Sequence, residues 1–164
     1  MIQVVETLTS AFAPWQKAYS DSSVISTAVT ATHIVSLLVG GGLAIGADRT
    51  TLRALKREAP DWQNHLAELH AVHRPVVWML VVLFISGLAM ATADIETFAT
   101  SPLFWLKLAL VTLLLVNGYV LYRTEGRLLR TLSAPLLDRL KLTTYLSLLL
   151  WVLTTVAGVV LTNA

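Results

Sequence analysis

The chain has 164 residues, of which 55% are hydrophobic and 13% are charged, and its mean hydropathy is +0.69. A typical soluble domain carries about a quarter charged residues, so this composition excludes a water-soluble domain, a disordered chain and a coiled coil. The chain has no cysteine, which excludes disulfides and thiolate metal sites, and its net charge of +2 argues against nucleic acid as a partner. We expect a single all-α membrane domain over residues 1–164.

The first element predicted is an amphipathic helix over about residues 2–20. It lacks the basic start and unbroken apolar core of a signal peptide. Its apolar residues recur every three or four positions, as on one face of a helix: Ile2, Val5, Leu8, Phe12, Trp15 and Tyr19. Such a helix is expected to lie in the membrane interface.

Four transmembrane helices are predicted next, over about residues 22–47, 75–93, 102–122 and 142–162. These segments contain no Lys, Arg, Asp or Glu except Lys107. Each reaches the roughly 17–25 residues that a helix needs to cross a hydrocarbon core of about 30 Å. The predicted fold is therefore a four-helix transmembrane bundle with an N-terminal interfacial helix.

Charge between the spans predicts their orientation. Ten of the twelve basic residues lie in the first and third connections: Arg49, Arg53, Lys56, Arg57, Arg74, Arg123, Arg127, Arg130, Arg139 and Lys141. Because basic loops stay in the cytoplasm, both termini are expected on the periplasmic side of a bacterial inner membrane.

Two ionisable residues inside the spans are candidates for function, because burying them in a membrane is costly. Counting 1.5 Å per residue along antiparallel helices brings His33, Ser86, Lys107 and Thr154–Thr155 to one layer in the outer half of the bundle. His33 is either a core histidine bonded to Ser86 or a threonine, or a haem ligand or proton-handling group. Lys107, five residues after Pro102, is expected to extend outward to the membrane surface.

The glycines and the other histidines leave further alternatives open. Gly40, Gly41, Gly42 and Gly46 allow close helix packing or leave room for a flat cofactor. His70 and His73 share a helix face, which His65 and Glu68 could join in a divalent metal site, although a solvated helix face explains the pattern more simply. The spans lack acidic residues, and no carboxylate pair is expected at a common depth. This argues against a proton- or cation-coupled transporter.

The order of several motifs resembles small four-helix bacterial inner-membrane proteins, including membrane-type protoporphyrinogen oxidase and the copper-resistance D membrane domain. The segments that carry the resemblance are ATHIVSLLVGG with His33, ADRTTL with Arg49, FWLKLAL with Lys107, and LSLLLWVLTTVAG in the fourth span. Gly87 and the pair Arg74–Pro75 match as well. The resemblance extends from about Trp15 to Gly158.

The resemblance implies a haem b site in which His33, Arg49 and Lys107 are important positions. Asn117 stands where the oxidase type has a histidine in its third helix, so two-histidine ligation is not implied, and neither is the enzymatic activity. In this hypothesis His33 binds the haem iron, Ser86 orients its imidazole, and Lys107 and Arg49 hold anionic groups.

The leading hypothesis is therefore a b-type haem or porphyrin-related redox protein in the lipid bilayer, exchanging electrons with quinone or a partner subunit. A cofactor-free accessory or assembly protein is the second hypothesis. The third is copper or other metal handling by His33 or by the helix with His70 and His73, with Met79 and Met90 as soft donors. A homo-oligomer is left open.

Overall fold

A computed structural model describes residues 2–57 and 62–162 of the chain, and within these ranges it is helical, with no strand. Its six helices are α1 (Ile2–Asp21), α2 (Ser23–Arg57), α3 (Trp62–Ala93), α4 (Ile95–Thr100), α5 (Pro102–Leu128) and α6 (Ala134–Thr162). The predicted all-α fold is confirmed. Residues 59–61 read Ala-Pro-Asp, a sequence typical of a helix stop followed by a new N-cap, and they lie outside the described ranges.

Helices α2, α3, α5 and α6 are each long and apolar enough to cross a membrane. Their outward-facing side chains are largely aliphatic, with Leu38 67% exposed and Ile85 60% exposed. An apolar exterior of this kind is stable in lipid rather than in water. The four predicted transmembrane helices are therefore present as a bundle.

All four long helices extend past the uncharged segments that predicted them. The predicted boundaries were placed at the first charged residues. The arginines beyond these boundaries lie on exposed helix faces, while apolar residues continue the buried face. Leu66, Leu69, Leu128 and Leu140 on these extensions form a hydrophobic cluster with Leu121, which lies within the predicted third span. We call the side where α2 is connected to α3 and α5 to α6 the basic end, and the opposite side the terminal end.

At the terminal end, α1 folds back against the bundle. The Trp15 indole N–H donates to the Ala89 carbonyl at 2.9 Å, and the Tyr19 hydroxyl lies 3.4 Å from the Thr30 hydroxyl. Leu8 and Phe12 on the preceding turns are exposed. The helix predicted over residues 2–20 is confirmed, and only its second half packs on the bundle.

The short helix α4 was not predicted. Asp94 caps it by accepting a hydrogen bond from the Thr97 amide at 3.3 Å, and Ser101 caps the following α5 in the same way. Phe98 of α4 packs against Phe104 with ring centroids 5.6 Å apart. This helix therefore covers the terminal end of the bundle between α3 and α5.

Along the bundle axis, buried polar and apolar residues form alternating layers. A polar layer with His33 and Ser86 lies near the terminal end, followed by an apolar layer of Ala44, Val76, Leu80, Leu83, Leu114 and Trp151. A second polar layer holds Asp48, His73 and Glu125, and the leucine cluster lies beside it at the basic end. The two polar layers contain the candidate functional residues.

Candidate functional site

A cavity of about 380 Å³ lies between all four long helices at the terminal end, with α4 beside it. Its volume falls within the roughly 300–1,000 Å³ of small-molecule sites. Most of its wall is aliphatic or aromatic, including Phe84, Phe98 and Phe104. Its polar side chains are Thr30, His33, Lys107, Thr154 and Thr155. The predicted common layer of His33, Lys107 and the two threonines is confirmed.

His33 is hydrogen-bonded to α3 at two groups, the Ser86 hydroxyl and the Leu83 backbone. Its Nδ1 lies 3.0 Å from the Ser86 hydroxyl oxygen. That hydroxyl has a single hydrogen and two acceptors on its own helix, the carbonyls of Val82 at 2.7 Å and Leu83 at 3.1 Å, so its oxygen accepts from Nδ1–H of His33. The network therefore assigns the proton to Nδ1 and leaves a lone pair on Nε2.

Two glycines provide the space for these side chains. A Cβ at Gly87 would lie 3.1 Å from Cε1 of His33, and a Cβ at Gly158 would lie 3.4 Å from Nζ of Lys107. Both residues line the cavity. Glycine thus lets the imidazole lie directly against α3 and the ammonium against α6.

Lys107 lines the cavity at the terminal end of the bundle. It is half-buried on the cavity wall, beside Gly158. Among the described residues it forms no ion pair with a carboxylate, since the recorded ion pairs there involve only histidines. Thr154, 2% exposed, also lines the cavity, and its hydroxyl has no hydrogen-bond partner within the described ranges. The cavity therefore presents an unpaired cation and an unpaired hydroxyl.

Arg49 and Asn117 do not belong to this site, which corrects the set implied by the resemblance. Arg49 is exposed at the basic end, and the 16 residues that separate it from His33 place it about 24 Å away along α2. Asn117 is buried and donates from Nδ2 to the Thr143 carbonyl at 2.9 Å, which ties α5 to α6. Neither residue lines the cavity.

The glycines of α2 divide into two groups. Gly40 lies against Met79 and Gly41 against the Trp151 ring, so these two allow close helix packing and leave no room for a cofactor. Gly42 and Gly46 have nothing near their Cβ positions and line a separate groove of about 340 Å³ with His65 and Glu68. The flat-cofactor interpretation therefore does not hold for Gly40 and Gly41.

A second polar group at the basic end was missed from the sequence. Glu125 is fully buried, Asp48 is 2% exposed and His73 is 4% exposed. Nδ1 of His73 lies 3.0 Å from Oε2 of Glu125, and Asp48 lies within electrostatic range of both. Asp48 and Glu125 lie just beyond the predicted spans 22–47 and 102–122, so the expectation that the spans hold no carboxylate pair does not cover them. They meet because α2 and α5 remain helical and buried beyond their apolar segments.

A periodicity signal for these residues was present in the sequence. Ser36, Gly40, Ala44 and Asp48 follow one another at every fourth position, and all four are buried. Positions spaced by four lie on the same helix face. The predicted buried face of α2 ended at the first charged residue. The four-residue spacing continues this face past Ala47, where it includes Asp48.

His70 and His73 both turn toward α5. His70 stacks on Tyr122 with ring centroids 4.4 Å apart, and its Nδ1 lies 3.9 Å from Oε2 of Glu125. No group of three or more His, Asp or Glu side chains within residues 2–57 and 62–162 has the geometry to hold a metal ion. These histidines therefore belong to the polar group around Glu125.

Comparison with protein-family models, characterised proteins and solved structures finds no match to this chain. The functional argument therefore rests on the geometry of its own residues.

Proposed function

We propose that the terminal-end cavity binds haem b or a related porphyrin and that the protein is a membrane redox protein. The observation that carries this proposal is the bond from Nδ1–H of His33 to Ser86, which leaves Nε2 available at the wall of an apolar cavity. Metal-binding histidines usually donate their other N–H to such an acceptor, which fixes ring orientation and tautomer.

The unpaired polar groups of the cavity fit the same ligand class. An ammonium group without a carboxylate partner is costly at membrane depth, and Lys107 would offset that cost by holding a propionate. The hydroxyl of Thr154 offers a second hydrogen bond. When bound, haem b supplies an iron that alternates between ferric and ferrous states and so carries one electron.

The chain's own residues would bind and shield the cofactor. His33 would provide the iron ligand, Ser86 would orient its ring, and Lys107 would hold a carboxylate. Phe84, Phe98 and Phe104 would exclude water from one side of the cavity. We propose quinone or a partner subunit as the electron donor or acceptor, and a bacterial inner membrane as the location, with the basic end in the cytoplasm.

Copper handling is the second candidate, favoured by one observation. Met90 lines the same cavity as His33, and thioether and imidazole ligands suit copper. Met79, the other methionine considered, has its Cβ against Gly40 in the helix contact. A copper site would therefore involve the same cavity and compete with the porphyrin.

The test is the visible spectrum of the detergent-purified protein, produced with added haem precursor. We expect a Soret band with sharp α and β bands after reduction, and their loss in His33→Ala. His65→Ala, which removes a histidine from the separate groove at the basic end, is the matched control and should keep the bands.

Two outcomes contradict the haem proposal. A colourless preparation that contains stoichiometric copper would favour the second candidate. A colourless preparation without metal, with unchanged helix content, would favour a cofactor-free accessory protein.

A further inference from the structure

The buried group at the basic end contains more negative than positive charge. Glu125 and Asp48 are carboxylates, and no lysine or arginine pairs with either among the described residues, where the ion pairs are between Glu125 and the two histidines. Two ionised carboxylates in a dehydrated interior without a cation repel each other and lose their hydration. The group is therefore stable only when it carries at least one additional proton.

The oxygen atoms of these carboxylates are also short of hydrogen-bond donors. The N–H on Nδ1 of His73 is shared between the Leu69 carbonyl at 3.1 Å and Oε2 of Glu125 at 3.0 Å. Oε1 of Glu125 and Oδ2 of Asp48 have no hydrogen-bond partner within the described ranges. Buried acceptors without donors are rare in stable folds, and a bound proton would satisfy one of them.

One side chain connects the buried group to solvent. The side chain of His70 is 33% exposed, and its Nδ1 lies 3.9 Å from Oε2 of the fully buried Glu125. That nitrogen has no hydrogen-bond partner in the described part of the chain. An imidazole can accept a proton on one nitrogen and release one from the other near neutral pH.

We propose that Glu125, His73 and Asp48 form a proton-binding site that exchanges protons with the aqueous phase at the basic end through His70. A proton leaves water, binds to His70 and passes by way of the Glu125 carboxylate to a carboxylate oxygen of Asp48, where an O–H bond forms. The reverse step returns it to water. No electron transfer and no other bond change are involved.

The neighbouring helices set the charge around this site. Helix α3 contributes His70 and His73, α2 contributes Asp48, and α6 contributes the Ser147 hydroxyl, which is hydrogen-bonded to Asp48. The nearby basic residues of these helices are exposed: Arg49, Arg53, Arg74, Arg123, Arg139 and Lys141. No lysine or arginine of these helices therefore neutralises the buried carboxylates in place of a bound proton.

This site is separate from the proposed cofactor cavity. The two lie about 20 Å apart along α3, from Ser86 to His73, with the apolar layer of Leu80, Leu114 and Trp151 between them. Proton binding at Asp48 therefore does not depend on whether the cavity holds haem.

The experiment is infrared spectroscopy of the purified protein over a pH titration, in H2O and D2O. We expect a protonated carboxylic acid band that decreases as pH rises and shifts in D2O. Asp48→Asn should remove it. Glu68→Gln, which changes an exposed glutamate on α3, is the matched control and should leave it unchanged.

Two further variants test the neighbours. Glu125→Gln removes the nearby like charge, so the band should appear only at lower pH. His70→Phe keeps an aromatic ring on Tyr122 but removes the nitrogen, so deuterium exchange of the band should slow at least severalfold. Tyr122→Phe is the control for the stacking contact and should exchange at the wild-type rate.

If Asp48→Asn does not fold, the wild-type titration with the Glu125→Gln comparison remains decisive. Absence of the band at every pH at which circular dichroism reports a folded bundle would overturn the proposal, as would its persistence in a folded Asp48→Asn variant. Loss of the band on adding Na⁺ at constant pH would indicate a cation site instead. An unchanged exchange rate in His70→Phe would overturn the route through His70.

Discussion

At the scale of single residues, the orientation of His33 depends on the backbone of another helix. The Ser86 hydroxyl hydrogen is directed to a carbonyl one turn earlier on α3, so its oxygen is an acceptor toward α2. The imidazole therefore has a defined tautomer before any ligand binds. A preset ligand of this kind reduces the ordering cost of binding.

Replacing that serine gives the first residue-scale prediction. Ser86→Ala removes the acceptor of Nδ1–H while leaving His33 and the cavity in place. Loss of a partner to a metal-binding histidine typically costs about 10–100-fold in affinity. We expect weaker haem retention by that factor, measured by haem transfer to apomyoglobin. Thr92→Ala is the control, because the Thr92 hydroxyl bonds to the backbone of its own helix. Equal retention in both variants would contradict the role of Ser86.

Counting residues along a helix predicts the depth of a side chain but not its contacts with other helices. His33, Ser86 and Lys107 lie within uninterrupted helices, so counting residues at 1.5 Å each located them in one layer. The contact of the Lys107 ammonium with Gly158 was not predicted, because it depends on the space left by another helix. Arg49 and Asn117 were added by resemblance, and helix length alone keeps them out of the cavity.

At the scale of helices, the contact of α2 with its neighbours is set by two adjacent glycines. Gly40 meets the Cβ of Met79 on α3, and Gly41 meets the Trp151 ring on α6. Small residues at such positions allow helix axes to approach closely, which strengthens packing where lipid provides no hydrophobic driving force. These two glycines therefore join three helices in the apolar layer.

A methyl group at the first of these glycines is expected to separate α2 from α3. A Cβ at Gly40 would lie 2.8 Å from the Cβ of Met79, and shortening Met79 to alanine would not relieve this contact. We expect Gly40→Ala to lower stability by about 1–3 kcal/mol, measured by thermal unfolding in detergent. Gly42→Ala is the control, because nothing lies within 4 Å of that position. Equal stability of the two variants would contradict this account.

The helix lengths show why the buried carboxylates were not anticipated. A helix boundary was predicted where charge begins, yet one face of each helix remains buried for several more turns while the other turns its arginines to solvent. Leu128 and Leu140 mark that buried face beyond the first charges. A boundary placed at the first charged residue therefore underestimates the length of a helix that continues outside the hydrocarbon core.

At the scale of the whole molecule, charge is segregated to one end of the bundle. An even number of membrane crossings places α1 and the end of α6 on one side and the basic connections on the other. This arrangement leads to the proposal that the basic end is cytoplasmic.

Single cysteines test that orientation cleanly, because the chain contains none. Ser10→Cys and Arg130→Cys both replace exposed residues at opposite ends. In intact spheroplasts, a membrane-impermeant maleimide should label position 10 and not position 130. Disruption of the membrane should make both react, which controls for accessibility. The opposite pattern would reverse the proposed topology.

The sequence by itself determined the class, the number of spans and the layer that contains His33. Each of these follows from local quantities: the length of apolar segments, the absence of charge within them and the constant rise of a helix. Only the tertiary structure decided that His33 bonds to Ser86 as a donor, that Lys107 faces the cavity, and that Asp48, His73 and Glu125 meet. Those outcomes depend on which faces of separate helices meet and on how closely glycines let them approach.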